Sequence, residues 1–167
     1  MIQVYQVGAT GRSLVGGFFM IDDPNRTRVY RLVTTPDKPS GRGQQVAVGQ
    51  IQATQGMIYR LTDTPELRFV GRAVSVKPVR IGRADAGHDA KASERDVLVY
   101  RIAWAKGRLV GRFRMVNPWL GELHRYAPSV DRKTLLGEVV LGSGEALTLD
   151  IHQWCAAGAA ALLLNLV

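Results

Sequence analysis

The chain lacks the cysteines on which a disulfide-stabilised fold depends. Its 167 residues contain one cysteine, Cys155, so an intrachain disulfide is excluded. Alanines follow this cysteine, which indicates a small buried apolar residue rather than a catalytic thiol. The first residues, MIQVYQVGAT, lack the basic start and apolar run of a secretion signal. We therefore expect a cytoplasmic protein, with peripheral membrane association as a further option.

Arrangements of residues that carry out catalysis are also missing from the sequence. The three histidines, His88, His124 and His152, do not have the spacing of metal ligands. The stretch GATGRS is too short for a phosphate-binding loop and lacks its lysine, and no serine lies in a nucleophile elbow. Asp150 and His152 could pair, but a helix cap beside a strand-end imidazole is the favoured interpretation. We predict a non-catalytic protein without metal or cofactor, with an enzyme as the lesser alternative.

Charge of one sign is in excess. The chain has 22 lysines and arginines against 14 aspartates and glutamates, a formal net charge of +8, and its isoelectric point is about 10.1. Such a balance favours anionic partners, namely nucleic acid, acidic lipid or acidic protein. It does not choose among them, and a basic surface that is merely solvated is the alternative.

A hairpin unit recurs along the chain. Four stretches align on a glycine, and a tyrosine precedes each glycine by eleven or twelve positions. The glycines are Gly16, Gly71, Gly111 and Gly137, and the tyrosines are Tyr5, Tyr59, Tyr100 and Tyr126. Turn-forming residues lie between tyrosine and glycine, so each unit predicts a strand, a turn and a second strand.

Alternation along the second strand of each unit predicts its buried face. The residues two before and two after the glycine are nearly all apolar, and they should share the glycine's inward face. They are Leu14, Phe69, Leu109 and Leu135 before it, and Phe18, Ala73, Phe113 and Val139 after it. The other face carries arginines, which is typical of an antiparallel sheet over one core. Four inward glycines indicate that something bulky approaches this face.

Further strands are expected at 27–34, 45–53, 74–81, 96–104 and 145–151. The polar stretch 82–96 reads as a mobile loop. We see no domain boundary, and we predict a single domain over residues 1–167.

The C-terminal residues HQWCAAGAAALLLNLV predict a buried helix. Every one of the eleven residues from Trp154 to Leu164 is apolar, and no polar stripe is present. Asp150 and Gln153 are spaced like a capping pair at the start of this helix. A membrane span needs about twenty apolar residues, so a tail anchor is the weaker alternative. We predict a mainly β protein: a closed antiparallel barrel of repeated hairpins that encloses this helix.

These features resemble the Tubby C-terminal-like superfamily, which includes the phospholipid scramblases and the LURP-one-related proteins. The hairpins VYQVGATGRSLVGGFFM and VYRIAWAKGRLVGRFRM carry the resemblance, together with the ending LTLDIHQWCAAGAAALLLNLV. The resemblance implies the barrel fold and association with a membrane surface. It transfers no calcium ligands and no phosphoinositide ligands to this chain.

The arginines are the one positive indication of function. Alternation places several of them on a shared outer face, where they would suit phosphate groups, with lipid headgroups favoured over a nucleic-acid backbone. The predicted anion-binding residues are Arg68, Arg72, Lys77, Arg108, Arg112 and Arg114. Trp104 and Trp119 could add anchoring at an interface. A lipid-binding module is the leading hypothesis, and a protein-interaction adaptor, a structural protein or a nucleic-acid-binding barrel are the alternatives.

Overall fold

A computed structural model describes residues 1–34, 43–75, 96–128, 130–142 and 151–167 of the chain. These residues form ten strands, a short 3-10 turn at Pro24–Arg26 and one α-helix. The strands are β1 (Ile2–Gly8), β2 (Gly11–Met20), β3 (Thr27–Val33), β4 (Gln44–Gln52), β5 (Met57–Leu61), β6 (Leu67–Ser75), β7 (Asp96–Ala103), β8 (Lys106–Asn117), β9 (Leu120–Arg125) and β10 (Leu135–Val140), and the helix is α1 (Ile151–Leu163).

The strands form a closed barrel with the simplest possible order. Each strand pairs antiparallel with the next one in the chain, and β10 returns to pair with β1. Closure leaves none of the ten described strands with an unpaired edge that could recruit another chain. The predicted fold class, a mainly β protein built as a closed antiparallel barrel of hairpins, is therefore confirmed.

Helix α1 occupies the interior of the barrel and contacts all ten strands. Every residue from Trp154 to Leu162 is buried, as the uniformly apolar sequence predicts. The helix begins at Ile151, which was expected to end a strand. The rest of that strand, 145–150, and the capping residue Asp150 lie outside the described residues.

Five hairpins share one internal arrangement. In each, an inward residue of the first strand lies opposite a buried glycine of the second. The pairs are Val4–Gly16, Val29–Gly49, Ile58–Gly71, Val99–Gly111 and Leu123–Gly137. The residue before each glycine has no partner in the register, which makes it a β-bulge.

The bulge corrects one sequence-based expectation. An extra residue shifts the alternation by one position, so the residues two before the glycine fall on the outer face and not on the inner one. Leu14, for example, lies opposite the outward Tyr5 and is 37% exposed. The same correction applies to Phe69, Leu109 and Leu135, which lie opposite Tyr59, Tyr100 and His124. The four residues two after the glycine are buried as predicted.

The five glycines accommodate the end of the helix. A β-carbon on any of them would come 2.7–3.2 Å from a side-chain carbon of the last six residues. In order round the barrel, the contacts are Gly16 with Leu162, Gly137 with Leu163, Gly111 with Leu164, Gly71 with Leu166 and Gly49 with Val167. The last residues of the chain therefore sweep once round a ring of glycines.

Candidate functional site at the mouth of the barrel

The two ends of the barrel differ in what they expose. At one end, called the hairpin end here, the first strand of each hairpin ends and the second begins, and the helix terminates there. The start of the helix lies at the opposite end, called the entry end, where each hairpin's first strand begins and its second strand ends. Gln153 illustrates this, since its side chain contacts Ser75 at the end of β6. The candidate site lies at the hairpin end.

A basic ring surrounds the end of the helix. In each hairpin, the residue that follows the outward tyrosine or histidine faces a ring glycine of the neighbouring hairpin across the sheet. The pairs are Gln6–Gly137, Arg31–Gly16, Arg60–Gly49, Arg101–Gly71 and Arg125–Gly111. Alternation from the buried residue two positions earlier points these side chains toward the barrel interior. Four arginines and one glutamine, called the mouth ring here, thus occupy equivalent positions round the end of the helix.

Two ring arginines bind the helix end directly. Arg31 Nη2 donates to the main-chain oxygens of Leu162, at 3.3 Å, and Val167, at 3.2 Å. Arg101 Nη2 donates to the oxygen of Leu164 at 2.9 Å. The last carbonyls of a helix lack intrahelical partners and carry partial negative charge, so cations stabilise them. Capping of the helix end therefore explains the presence of Arg31 and Arg101 in the mouth ring. It does not explain Arg60, which does not donate to these oxygens.

Arginines accumulate beyond what capping requires. Arg60 lies directly opposite Arg68 in the hairpin of β5 and β6. Arg101 lies directly opposite Arg108 in the next hairpin. Like charges in opposed positions of a sheet destabilise it. Two such pairs on adjacent hairpins indicate that the positive charge at this end serves a purpose other than folding.

Three of these arginines line a cavity of about 180 Å³. Arg60, Arg68 and Arg101 contribute from three successive strands, and Trp104, Asn165 and Leu166 complete much of the wall. We call it the basic cavity. Within the described ranges, no carboxylate forms an ion pair with any of the three arginines. The cavity therefore carries an uncompensated positive charge over an apolar floor that includes the buried Leu166.

Trp104 stands at the tip of the hairpin beside the cavity. It forms the two-residue turn between β7 and β8 with Ala105, and the two have φ angles of 54° and 61°. Turns of this type favour asparagine and glycine, and a bulky residue with positive φ is an outlier. Trp104 is also 95% exposed. A strained, solvent-facing tryptophan next to arginines that form no ion pair within the described ranges indicates a contact surface, since such strain concentrates at functional sites.

Apolar side chains flank the basic cavity on the outer wall. Leu61 and Leu67 oppose each other next to the turn of the β5–β6 hairpin, and both are exposed. Leu14 adds exposed apolar surface on the outer face of the β1–β2 hairpin. Val46, which is also exposed, lies opposite the inward Arg31 and therefore on the inner face of the β3–β4 hairpin. The hairpin end thus combines a cationic centre with apolar patches around it.

The structure separates the anion-binding residues expected from sequence. Arg68 lines the basic cavity, and Arg108 lies beside Arg101 at the same end. Arg72 lies nearer the entry end and donates to the oxygen of Gln55 at 3.3 Å. Lys77 lies outside the described residues.

Two of the expected residues are engaged elsewhere. Arg112 lies 5.7 Å from the ring centroid of Tyr126, and its Nε is buried without a hydrogen-bond partner. Arg114 donates to Asp96 at 2.7 Å, and this hydrogen bond raises the pKa of Arg114. Neither arginine lines the basic cavity.

Sequence reasoning missed the mouth ring, although a signal for it exists. The triplets VYQ, VYR, IYR, VYR and LHR begin at Val4, Val29, Ile58, Val99 and Leu123. Each triplet places an inward apolar residue, an outward tyrosine or histidine and an inward polar residue in succession. The third residue of each triplet belongs to the mouth ring.

His124 has an ordinary structural environment. Its Nδ1 lies 3.0 Å from Thr134 Oγ1 and its Nε2 lies 3.3 Å from Glu122 Oε2. In the part of the chain that the structure describes, no three histidine, cysteine, aspartate or glutamate residues gather as a metal site. No helix in the same part is long and apolar enough to cross a bilayer.

Comparison of the chain with family models, curated proteins and solved structures gave no match. The resemblance to the Tubby C-terminal-like superfamily therefore stays a prediction.

Proposed function

We propose that the protein is a non-catalytic binding module that associates with anionic membrane surfaces through the hairpin end of its barrel. The observation that carries the proposal is the basic cavity beside the exposed Trp104. Its arginines have no acidic partners in the described structure. Basic residues near an anionic leaflet each contribute about 1 kcal/mol of attraction, and tryptophan prefers the headgroup level of a bilayer.

The apolar patches support a membrane surface over other anionic partners. Leu61, Leu67 and Trp104 lie at hairpin tips beside the cationic centre, which matches the layered chemistry of headgroups above acyl chains. A nucleic-acid backbone would use the charge but not the exposed leucines. The resemblance to the Tubby C-terminal-like superfamily points the same way, and membership of that group is part of the proposal.

Vesicle co-sedimentation with matched variants tests the proposal. Arg60→Gln with Arg68→Gln should reduce binding to phosphatidylserine-containing vesicles by roughly 30-fold, since two basic residues contribute about 2 kcal/mol together. The control, Arg28→Gln with Arg72→Gln, removes the same charge from exposed sites away from the cavity. It should retain most of the binding.

Trp104→Ala should weaken binding as well, whereas Trp119→Ala, also exposed but away from the hairpin tips, should not. Equal losses for the two arginine pairs would show that general charge, and not the hairpin end, governs association. Binding of a nucleic-acid duplex without binding of vesicles would overturn the lipid proposal.

A further inference from the structure

We infer that the basic cavity binds the terminal phosphate of a phosphomonoester. This inference rests on the proposed function only for the choice of the hairpin end as the binding end. The three arginines that line this small cavity are complementary to a ligand with several acceptor oxygens and more than one negative charge. A phosphomonoester has three terminal oxygens and a charge near −2 at neutral pH.

The size of the cavity favours one phosphate group over a whole headgroup. Its volume is about 180 Å³, whereas pockets for drug-sized ligands begin at about 300 Å³. A phosphate fits such a space, while the remainder of the ligand would extend past Trp104 to solvent or to a membrane surface.

The donors are arranged for phosphate rather than for a single carboxylate. A guanidinium has five N–H donors in a planar fork, and Arg101 uses one nitrogen on Leu164. This hydrogen bond fixes Arg101 while leaving the rest of its fork available. Arg60 and Arg68 face the same space from neighbouring strands, and guanidinium forks match phosphate oxygens well.

The surroundings should strengthen binding. Val70 and Leu166 are buried residues that line the cavity, and an apolar floor lowers the local dielectric, so that charge-assisted hydrogen bonds gain strength. Asn165, with a φ of 51°, also lines the cavity and brings an amide that can donate hydrogen bonds.

A monoester and a diester separate this inference from simple charge attraction. Glycerol 3-phosphate and dimethyl phosphate are titrated into the full chain by calorimetry. We expect glycerol 3-phosphate to bind at least ~10-fold more tightly, because the diester has one charge and two free oxygens. The affinity for glycerol 3-phosphate should fall between pH 7.5 and pH 5.5, because this monoester gains a proton near pH 6 while the arginines stay charged.

Variants locate the binding. Arg68→Gln should abolish the preference for the monoester, and Arg68→Lys, which keeps the charge but loses the fork, should restore only part of it. Arg108→Gln, the control, removes one charge at the same end outside the cavity and should keep the preference. Near-UV circular dichroism confirms that each variant is folded. An equal effect of Arg68→Gln and Arg108→Gln would overturn the inference.

Vesicles identify the source of the phosphate. Phosphatidic acid and phosphatidylserine are compared at matched surface charge. Stronger binding to phosphatidic acid assigns the phosphate to a lipid. Binding of glycerol 3-phosphate without binding of either vesicle supports the phosphate site in the basic cavity and contradicts the proposed membrane association. Equal binding of both vesicles with no preference between the soluble esters contradicts the phosphate site in the basic cavity and leaves the proposed membrane association standing. Failure of all ligands rejects both.

Discussion

Gly158 lies where the helix packs tightly against the barrel wall. A β-carbon at this position would overlap the ring of Phe18, which is itself completely buried. Phe18 in turn packs edge-on against Trp154, with ring centroids 5.2 Å apart. The phenyl ring is therefore held between the strand and the helix, and little space remains for its displacement.

Gly158→Ala should destabilise the protein. A glycine-to-alanine change inside a helix ordinarily stabilises it by about 1 kcal/mol, but overpacking a core costs about 1–3 kcal/mol. We expect a net loss in the free energy of unfolding measured with urea, and a larger loss for Gly158→Leu. Gly142→Ala is the control, because nothing lies within 4 Å of the added carbon. An unchanged or increased stability for Gly158→Ala would show that the helix does not pack against Phe18.

A buried hydrogen bond anchors the first turn of the helix. Trp154 Nε1 donates to Thr27 Oγ1 at 3.0 Å, and both residues are buried. Thr27→Val should leave the indole N–H without a partner, which costs about 1–3 kcal/mol, whereas Thr27→Ser should cost less because the hydroxyl remains. The cost of Thr27→Val should shrink in a Trp154→Phe background, and equal costs in both backgrounds would contradict this role.

At the scale of elements, the hairpin repeat was predictable because its signals are local. A tyrosine, a short turn and a glycine recur at nearly constant spacing in three of the five hairpins. Strands β3 and β4 were predicted, at 27–34 and 45–53, but not as a copy of the repeat, because Tyr30 and Gly49 are nineteen positions apart. The last hairpin was predicted with the wrong residue at the tyrosine position of the repeat. His124, and not Tyr126, occupies that position.

The bulges, and the closure of the barrel that gathers the triplet arginines into the mouth ring, show what the pattern along one strand could not supply. A bulge is defined by two strands in register, so alternation along one strand could not show that Leu14 turns outward. Likewise, the face on which Arg31 and Arg101 lie is fixed only when their strands pair with the neighbouring strands of the barrel. The predicted site therefore contained Arg68 and Arg108 but missed the ring arginines with which they cluster.

The glycine ring should be far less tolerant of a methyl group than a strand glycine outside the ring. At Gly16 a β-carbon would overlap the carbonyl oxygen of Tyr30 on the next hairpin, and a backbone atom cannot move without its strand. We expect Gly16→Ala to lower the free energy of unfolding by about 1–3 kcal/mol. Gly107→Ala is the matched control, with its nearest neighbour, Ile102 Cδ1, at 3.4 Å. Equal thermal unfolding midpoints for both variants would contradict a tight ring.

At the scale of the whole molecule, the barrel wall and the helix complete each other. The inner wall consists of buried apolar residues such as Ile2, Val29 and Phe113, and the helix supplies the centre of the same core. Each ring glycine makes room for one residue near the end of the chain, and Arg31 and Arg101 bind its main-chain oxygens. The basic charge at the hairpin end therefore serves the fold and the proposed binding site together.

Deletion of residues 151–167 should abolish cooperative folding, because the wall residues would then face a cavity too large to stay dry. We expect loss of the thermal unfolding transition and of the near-UV circular dichroism signal, with binding of a hydrophobic dye. The full-length Trp154→Phe variant is the spectroscopic control, since the deletion also removes this tryptophan. Arg60→Gln with Arg68→Gln should retain the transition, because neither arginine contacts the helix oxygens. A truncated chain that stays monomeric with a native near-UV spectrum would show that the barrel closes without its central helix.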